Sequence, residues 1–175
     1  MAKQARRSEA LGIAVQMERE GIEFYGKAAE EMKHPLGKKM FLSLVGDEKR
    51  HIEIFTQMAE REGVRPSRFD EINKEGPLMR IGSLFREFAE QLKKQVRADD
   101  DDIKVIDVAK GLEEKAYSFY SATAKSMGNP MEKRIFEKIA EEENQHYRIL
   151  DDAKMYFTYP AMWHIKEEKP VIDGG

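Results

Sequence analysis

Two pairs of residues in this chain combine a carboxylate with an imidazole at a spacing that suits metal binding: Glu48 with His51, and Glu143 with His146. A separation of three places both side chains of a pair on one helical face, one turn apart. Each pair interrupts an otherwise apolar stripe, Phe41, Leu44, Glu48, His51, Phe55 in the first case and Phe136, Ile139, Glu143, His146, Leu150 in the second. The interruption therefore points into a core. An isolated carboxylate there is disfavoured by desolvation, so it must be protonated or paired. An imidazole beside it makes a metal ion the natural partner. Two further stripes are broken by a carboxylate alone: Leu11, Ala14, Glu18, Gly21, Tyr25 and Ile106, Ala109, Glu113, Ala116, Tyr120. Gly21 leaves space above Glu18 at some cost in helix propensity.

The elements that must position these groups occur in duplicate. Laying residues 10–60 over residues 105–155 without a gap matches 12 of 51 positions, among them Glu18/Glu113, Tyr25/Tyr120, Pro35/Pro130, Phe41/Phe136, Glu48/Glu143 and His51/His146. Chance at ordinary residue frequencies gives about three. The two halves are copies of one helical hairpin.

In the first copy, Ser8 is a good N-cap, and His34-Pro35 stops the helix that follows near Lys33. Pro35 opens the next helix, which is expected to run to about Glu62 before Gly63 and Pro66. In the second copy, Asp99–Asp102 reads as the capped, dipole-stabilised start of a helix ending near Gly128, and Asn129-Pro130 starts another that reaches about Tyr156. The connection over 63–102 is too long for a bare loop. Leu84, Phe85, Phe88 and Leu92 predict a crossover helix over Ser83–Val96, with Lys93, Lys94 and Arg97 complementing its dipole. The tail over 157–175 has no clear period, and Trp163 is expected to dock it. The chain thus reads as one all-α domain over 1–175: a hairpin over 8–62, a crossover over 63–102, a second hairpin over 103–156 and the tail.

Composition excludes several classes of function. Thirty basic and 33 acidic residues are well mixed and sum to −3, which leaves no basic face for nucleic acid. No stretch approaches membrane-spanning length, and no apolar run follows the charged N-terminus, so a cytoplasmic protein is expected. With no Cys, any metal must be held by oxygen and nitrogen donors, and Cys nucleophiles and disulfides are excluded. His34, in a turn, and His164, in the tail, stand apart from the stripes, and the ten Met residues read as gap-filling side chains.

The core face collects Glu18, Glu48, His51, Glu113, Glu143 and His146 from four helices. Four carboxylates cannot all ionise in a dry core without compensating cations, and two divalent ions supply them. One Glu from each of two helices with a Glu-x-x-His from each of the other two is the donor pattern of carboxylate-bridged dimetal bundles. At this point the chain resembles the ferritin-like superfamily, and within it the rubrerythrin-related proteins that lack a rubredoxin domain. The segments MEREGIEFYGKAAE and LVGDEKRHIEIF carry the likeness, which covers roughly residues 8–156.

The resemblance implies two iron ions as cofactor, with manganese, a mixed iron–manganese pair or zinc as alternatives for the same donors. Glu18 with His51, and Glu113 with His146, would be terminal ligands, with Glu48 and Glu143 bridging. Tyr25 and Tyr120 resemble the family's tyrosines that hydrogen-bond ligand carboxylates. Typical rubrerythrins also carry a four-Cys rubredoxin domain and an additional Glu three residues after the ligand of the third helix, where this chain has Ala116. The six-residue set is closer to a bacterioferritin-type centre. The implied activity is reduction of hydrogen peroxide or dioxygen with electrons from a separate donor such as a rubredoxin, in a homodimer that could bury Phe85 and Phe88. Ferrous-iron oxidation with iron handling or storage, and a metal-stabilised structural module, are the competing readings.

Overall fold

The computed structural model describes residues 2–61, 63 and 102–159, with side chains from Arg6 onward. Four helices make up this part of the chain: α1 (Ala2–Glu31), α2 (Pro35–Arg61), α3 (Asp102–Ser126) and α4 (Pro130–Thr158). They form an all-α ferritin-like four-helix bundle. α1 packs along α2 and α3 along α4 in two closely paired hairpins, and the hairpins meet through α1 with α3 and α2 with α4. Because each hairpin turn is short, its two helices run antiparallel. The expected crossover helix, the residues Phe85, Phe88 and Trp163, and most of the tail lie outside the described residues.

The core is filled from all four apolar stripes. Phe41, Phe55, Phe136, Tyr25 and Tyr120 are its largest fully buried side chains, with Leu11, Leu44, Ile106, Ile139 and Leu150 between them. Tyr25 stacks on Phe41 at 5.9 Å between ring centroids, and Phe55 packs on Tyr120 at 5.5 Å and Phe136 at 5.3 Å. Aromatic layers therefore close the interior on either side of the polar residues described below. On the outside of the second hairpin, Lys154 with Asp107 (2.6 Å) and Lys110 with Asp151 (2.5 Å) tie α4 to α3.

Helix ends follow local chemistry with three departures from expectation. α1 begins at Ala2, six residues before Ser8. The segment Ala2–Arg7 is made of good helix formers, so nothing there breaks the helix, and Ser8 becomes an interior residue rather than a cap. Asp102 does not act only within its own helix. Its carboxylate accepts the backbone N–H groups of Lys33 and His34, both at 3.1 Å, and so closes the α1–α2 turn from the start of α3. α4 runs two residues past Tyr156, to Thr158, whose hydroxyl donates to the Lys154 carbonyl. The last turn is held there by His34, which packs on Phe157 at 4.7 Å.

Two boundaries match the expectation. Gly63 adopts φ +70° just past α2, the left-handed conformation that glycine accepts at a helix end. Asn129 caps α4, with its side-chain oxygen accepting the Met131 N–H at 2.9 Å and Pro130 in the first turn. Asn129→Ala is therefore expected to destabilise the protein by about 1 kcal/mol, measured as a lowered denaturation midpoint with an unchanged slope.

Candidate metal centre

Each helix delivers its polar residue at mid-length, facing the bundle axis. α1 brings Glu18, α2 brings Glu48 and His51, α3 brings Glu113, and α4 brings Glu143 and His146, all of them buried. The structure thus gathers into one cluster all six residues that interrupt the apolar stripes. Two overlapping groups emerge. Glu18, Glu48, His51 and Glu143 can each aim one donor atom at a common point, as can Glu48, Glu113, Glu143 and His146, with the atoms of a group within 4.8 Å of one another. Glu48 and Glu143 are common to both groups. The two imidazoles stand 6.0 Å apart between ring centroids.

Both rings turn Nδ1 inward. His51 Nδ1 lies 3.0 Å from Glu48 Oε2, 3.2 Å from Glu143 Oε1 and 3.6 Å from Glu18 Oε1. His146 Nδ1 lies 3.3 Å from Glu143 Oε2 and 3.6 Å from both Glu48 Oε1 and Glu113 Oε1. The outer nitrogens face carboxylates that sequence reasoning passes over: His51 Nε2 meets Glu142 at 3.0 Å, and His146 Nε2 faces Asp47 at 3.5 Å. An acidic partner on the outer nitrogen keeps the proton there and leaves Nδ1 as the donor atom for a metal. Asp47 and Glu142 each directly precede a cluster Glu and occupy equivalent places in the two copies. That shared acidity is the available signal.

The tyrosines cross between hairpins. Tyr25 of α1 donates to Glu113 Oε1 of α3 at 2.6 Å, and Tyr120 of α3 donates to Glu18 Oε1 of α1. Burial, reinforced by the neighbouring carboxylates, pushes both phenols well above their ordinary value, so they remain neutral donors. On the same side of the cluster a small cavity of about 10 Å³ opens between α1 and α3, beside Met17, Gly21, Leu112 and Ala116. Gly21 and Ala116 are equivalent positions in the two copies, and both are small. The cluster is therefore flanked by imidazoles on the α2/α4 side and by water-sized space on the α1/α3 side.

Electrostatics show what the cluster lacks. Burial and repulsion from Glu143 hold Glu48 well above the carboxylate range, and the same two causes, partly offset by His146, raise Glu113 to about 8. Burial would raise Glu143 too, but the His146 and His51 imidazoles lying 3.3 and 3.2 Å from its oxygens outweigh it and hold this carboxyl down at about 2. Burial disfavours the charged imidazoles, yet the surrounding carboxylates outweigh it, raising His51 strongly and His146 to about 10. Protons on imidazoles and carboxyls thus compensate the charge when no metal does so. The compensation is geometrically poor, since buried Glu143 Oε1 and His146 Nδ1 make no hydrogen bond. Unsatisfied buried donor atoms around a common point, all of them hard oxygen or imidazole nitrogen, fit a pair of divalent cations.

A family model described as Rubrerythrin matches residues 9–154, which include the six cluster residues and both tyrosines. The chain belongs to the rubrerythrin family. Searches among curated proteins and among solved structures each return no match. Rubrerythrin membership agrees with the four-helix bundle and with the buried carboxylate and imidazole cluster at its centre. Among the described residues of this rubrerythrin, no helix is long and apolar enough to cross a membrane.

Proposed function

We propose that this rubrerythrin is a non-haem di-iron oxidoreductase that reduces hydrogen peroxide or dioxygen with electrons from a separate donor, such as a rubredoxin. The observation that carries the reading is the pair of overlapping donor groups sharing Glu48 and Glu143. Glu18 and His51 would hold one ion and Glu113 and His146 the other, with Glu48 and Glu143 between them. Iron bound there supplies two electrons per pair, the number that converts one hydrogen peroxide and two protons into two waters.

The chain's own residues prepare that exchange. Tyr25 and Tyr120 hold Oε1 of Glu113 and of Glu18, the same oxygens that stand 3.6 Å from His146 Nδ1 and His51 Nδ1, and so fix how these carboxylates face the cluster. Aromatic layers of Phe41, Phe55 and Phe136 exclude bulk water. The cavity beside Gly21 and Ala116 admits a reactant of about the size of water, which favours a small oxidant over an organic substrate. The 175 residues contain no Cys, so the electron donor acts from outside them.

A second reading, ferrous-iron oxidation with iron handling, is favoured by one feature: Ala116 leaves a symmetric set of four Glu and two His. The two readings separate in one experiment. Protein isolated without air is expected to contain about two iron per chain, with absorption that bleaches on reduction and returns with peroxide over repeated cycles. Iron that is oxidised once and then released or accumulated would favour handling over turnover. Protein isolated with two zinc ions and no iron would overturn the redox reading, since zinc has no redox chemistry.

A further inference from the structure

Outside the carboxylate cluster lies a layer of polar groups that breaks the two-fold relation between the halves. Glu142 Oε2 takes His51 Nε2 at 3.0 Å, whereas its counterpart Asp47 leaves Oδ2 3.5 Å from His146 Nε2. The second distance is beyond the ~2.7–3.2 Å of an ordinary N–H···O bond. One side chain accounts for the difference. The Arg50 guanidinium spans both carboxylates, donating to Glu142 Oε2 at 2.8 Å and to Asp47 Oδ1 at 2.8 Å. The equivalent residue in the second copy is Gln145, so this one guanidinium bridges both halves, while Lys138 approaches only the other oxygen of Glu142, at 3.9 Å. Asp47 is one methylene shorter than Glu142, and its engagement with Arg50 leaves it short of the imidazole. Glu142 is long enough to reach Arg50 and His51 together.

The ring of His51 is consequently anchored at its outer nitrogen, while that of His146 is only approached there and has no hydrogen bond at Nδ1. A fixed outer hydrogen bond orients an imidazole and strengthens it as a ligand, and loss of such a partner typically weakens metal binding about 10–100-fold. We infer that Arg50 makes the two metal positions unequal, so that the position built from Glu18, Glu48, His51 and Glu143 fills first and holds its ion more tightly than the one built from Glu48, Glu113, Glu143 and His146. This rests on the dimetal reading above. Arg50 acts here as a positioning residue, through Glu142 and Asp47. Its side chain is 46% exposed, so its replacement leaves the bundle core intact.

The test uses Mn²⁺ as probe, with calorimetric binding isotherms and electron paramagnetic resonance. The full chain is expected to bind two Mn²⁺ in steps separated by about tenfold or more, with an uncoupled mononuclear signal at one equivalent and a coupled signal at two. Asp47→Glu, which restores the missing reach, should tighten the second step, and Arg50→Gln should shrink the gap between steps by freeing Asp47 and loosening Glu142. His51→Ala should remove the tight step and His146→Ala the weak one. Equal steps in the unaltered protein, a gap unchanged by Arg50→Gln and Asp47→Glu, or loss of the tight step in His146→Ala would each overturn the inference while leaving a dimetal centre intact. Binding of one ion or none, with His51→Ala and His146→Ala alike, would overturn the dimetal reading and the inference with it.

Discussion

Glu48→Ala and Glu143→Ala are each expected to empty both metal positions, whereas His51→Ala and His146→Ala should each empty mainly one. Glu48 and Glu143 belong to both donor groups, and each imidazole belongs to one. Loss of a shared carboxylate removes negative charge from two ions at once, while loss of an imidazole removes a neutral donor from a single ion. Occupancy measured by elemental analysis after dialysis should fall towards zero for the two Glu variants and towards half for the two His variants. Turnover should be lost in all four, because it requires the pair. Either Glu variant retaining two tightly bound ions would refute the shared roles.

The metal-free forms of the same variants should not behave alike. Glu48 is raised by burial and repulsion, so its removal relieves an unfavourable group and Glu48→Ala should be no less stable than the parent. Glu143 is held low by the two imidazoles it separates, and Glu143→Ala would remove the one shared carboxylate that stays ionised beside them, leaving Glu48, which burial raises. That variant should unfold at lower temperature when metal is absent.

The second large effect concerns pH, and its sign reverses on metal loading. In the metal-free protein His146 titrates at about 10 against an ordinary 6.5, so the stability it contributes is complete below pH 6.5 and is lost as pH rises towards 10. Glu113 titrates at about 8 against 4.5, so folding retains a proton that the unfolded chain has released, and stability again falls across that interval. His51 and Glu48, both raised, act in the same direction. Glu143, at about 2, contributes stability above its ordinary 4.5 that is lost only as pH falls towards 2.

Metal-free protein should therefore be most stable near pH 5 and lose several kcal/mol by pH 9, because each proton that the folded chain retains and the unfolded chain has released costs roughly 1.4 kcal/mol for every pH unit climbed. Metal binding must displace those protons, so affinity should rise over the same range. Thermal unfolding from pH 5 to 9 with and without metal should give curves that diverge as pH increases. Parallel curves would show that the cluster residues do not exchange protons for cations.

The centre of this site is legible in the sequence because each of its residues violates a pattern. Glu18, Glu48, His51, Glu113, Glu143 and His146 stand where an amphipathic helix calls for Leu or Phe, and the duplication repeats each violation. Tyr25 and Tyr120 are marked by resemblance, but their crossed pairing with Glu113 and Glu18 depends on how the hairpins meet. Asp47, Arg50 and Glu142 violate nothing. They occupy half-exposed or exposed positions where charged residues are ordinary, and Glu142 lies in a run of three Glu, Glu141 to Glu143. Only the fold makes them neighbours of the imidazoles. Asp102 illustrates the same limit at the level of the fold, since the backbone groups it accepts lie 68 and 69 residues away along the chain. The start of α1 is obscured for a local reason: Ser8 is a good capping residue, and its signal competes with that of the six helix-forming residues before it.

The crossed tyrosines bear on how such a chain can arise and diverge. One hairpin encodes a tyrosine, a lone Glu and a Glu-x-x-His, yet its tyrosine satisfies the Glu of the other hairpin and its own Glu depends on the other's tyrosine. A gene for a single hairpin would thus specify an incomplete object, made whole by pairing with a second copy of itself. Fusion turns that pairing into an intramolecular one and releases the two copies from identity. Arg50 opposite Gln145, and Asp47 opposite Glu142, are divergence of this kind: a symmetric dimer would carry the same residue on both sides, whereas a fused chain can vary one side alone.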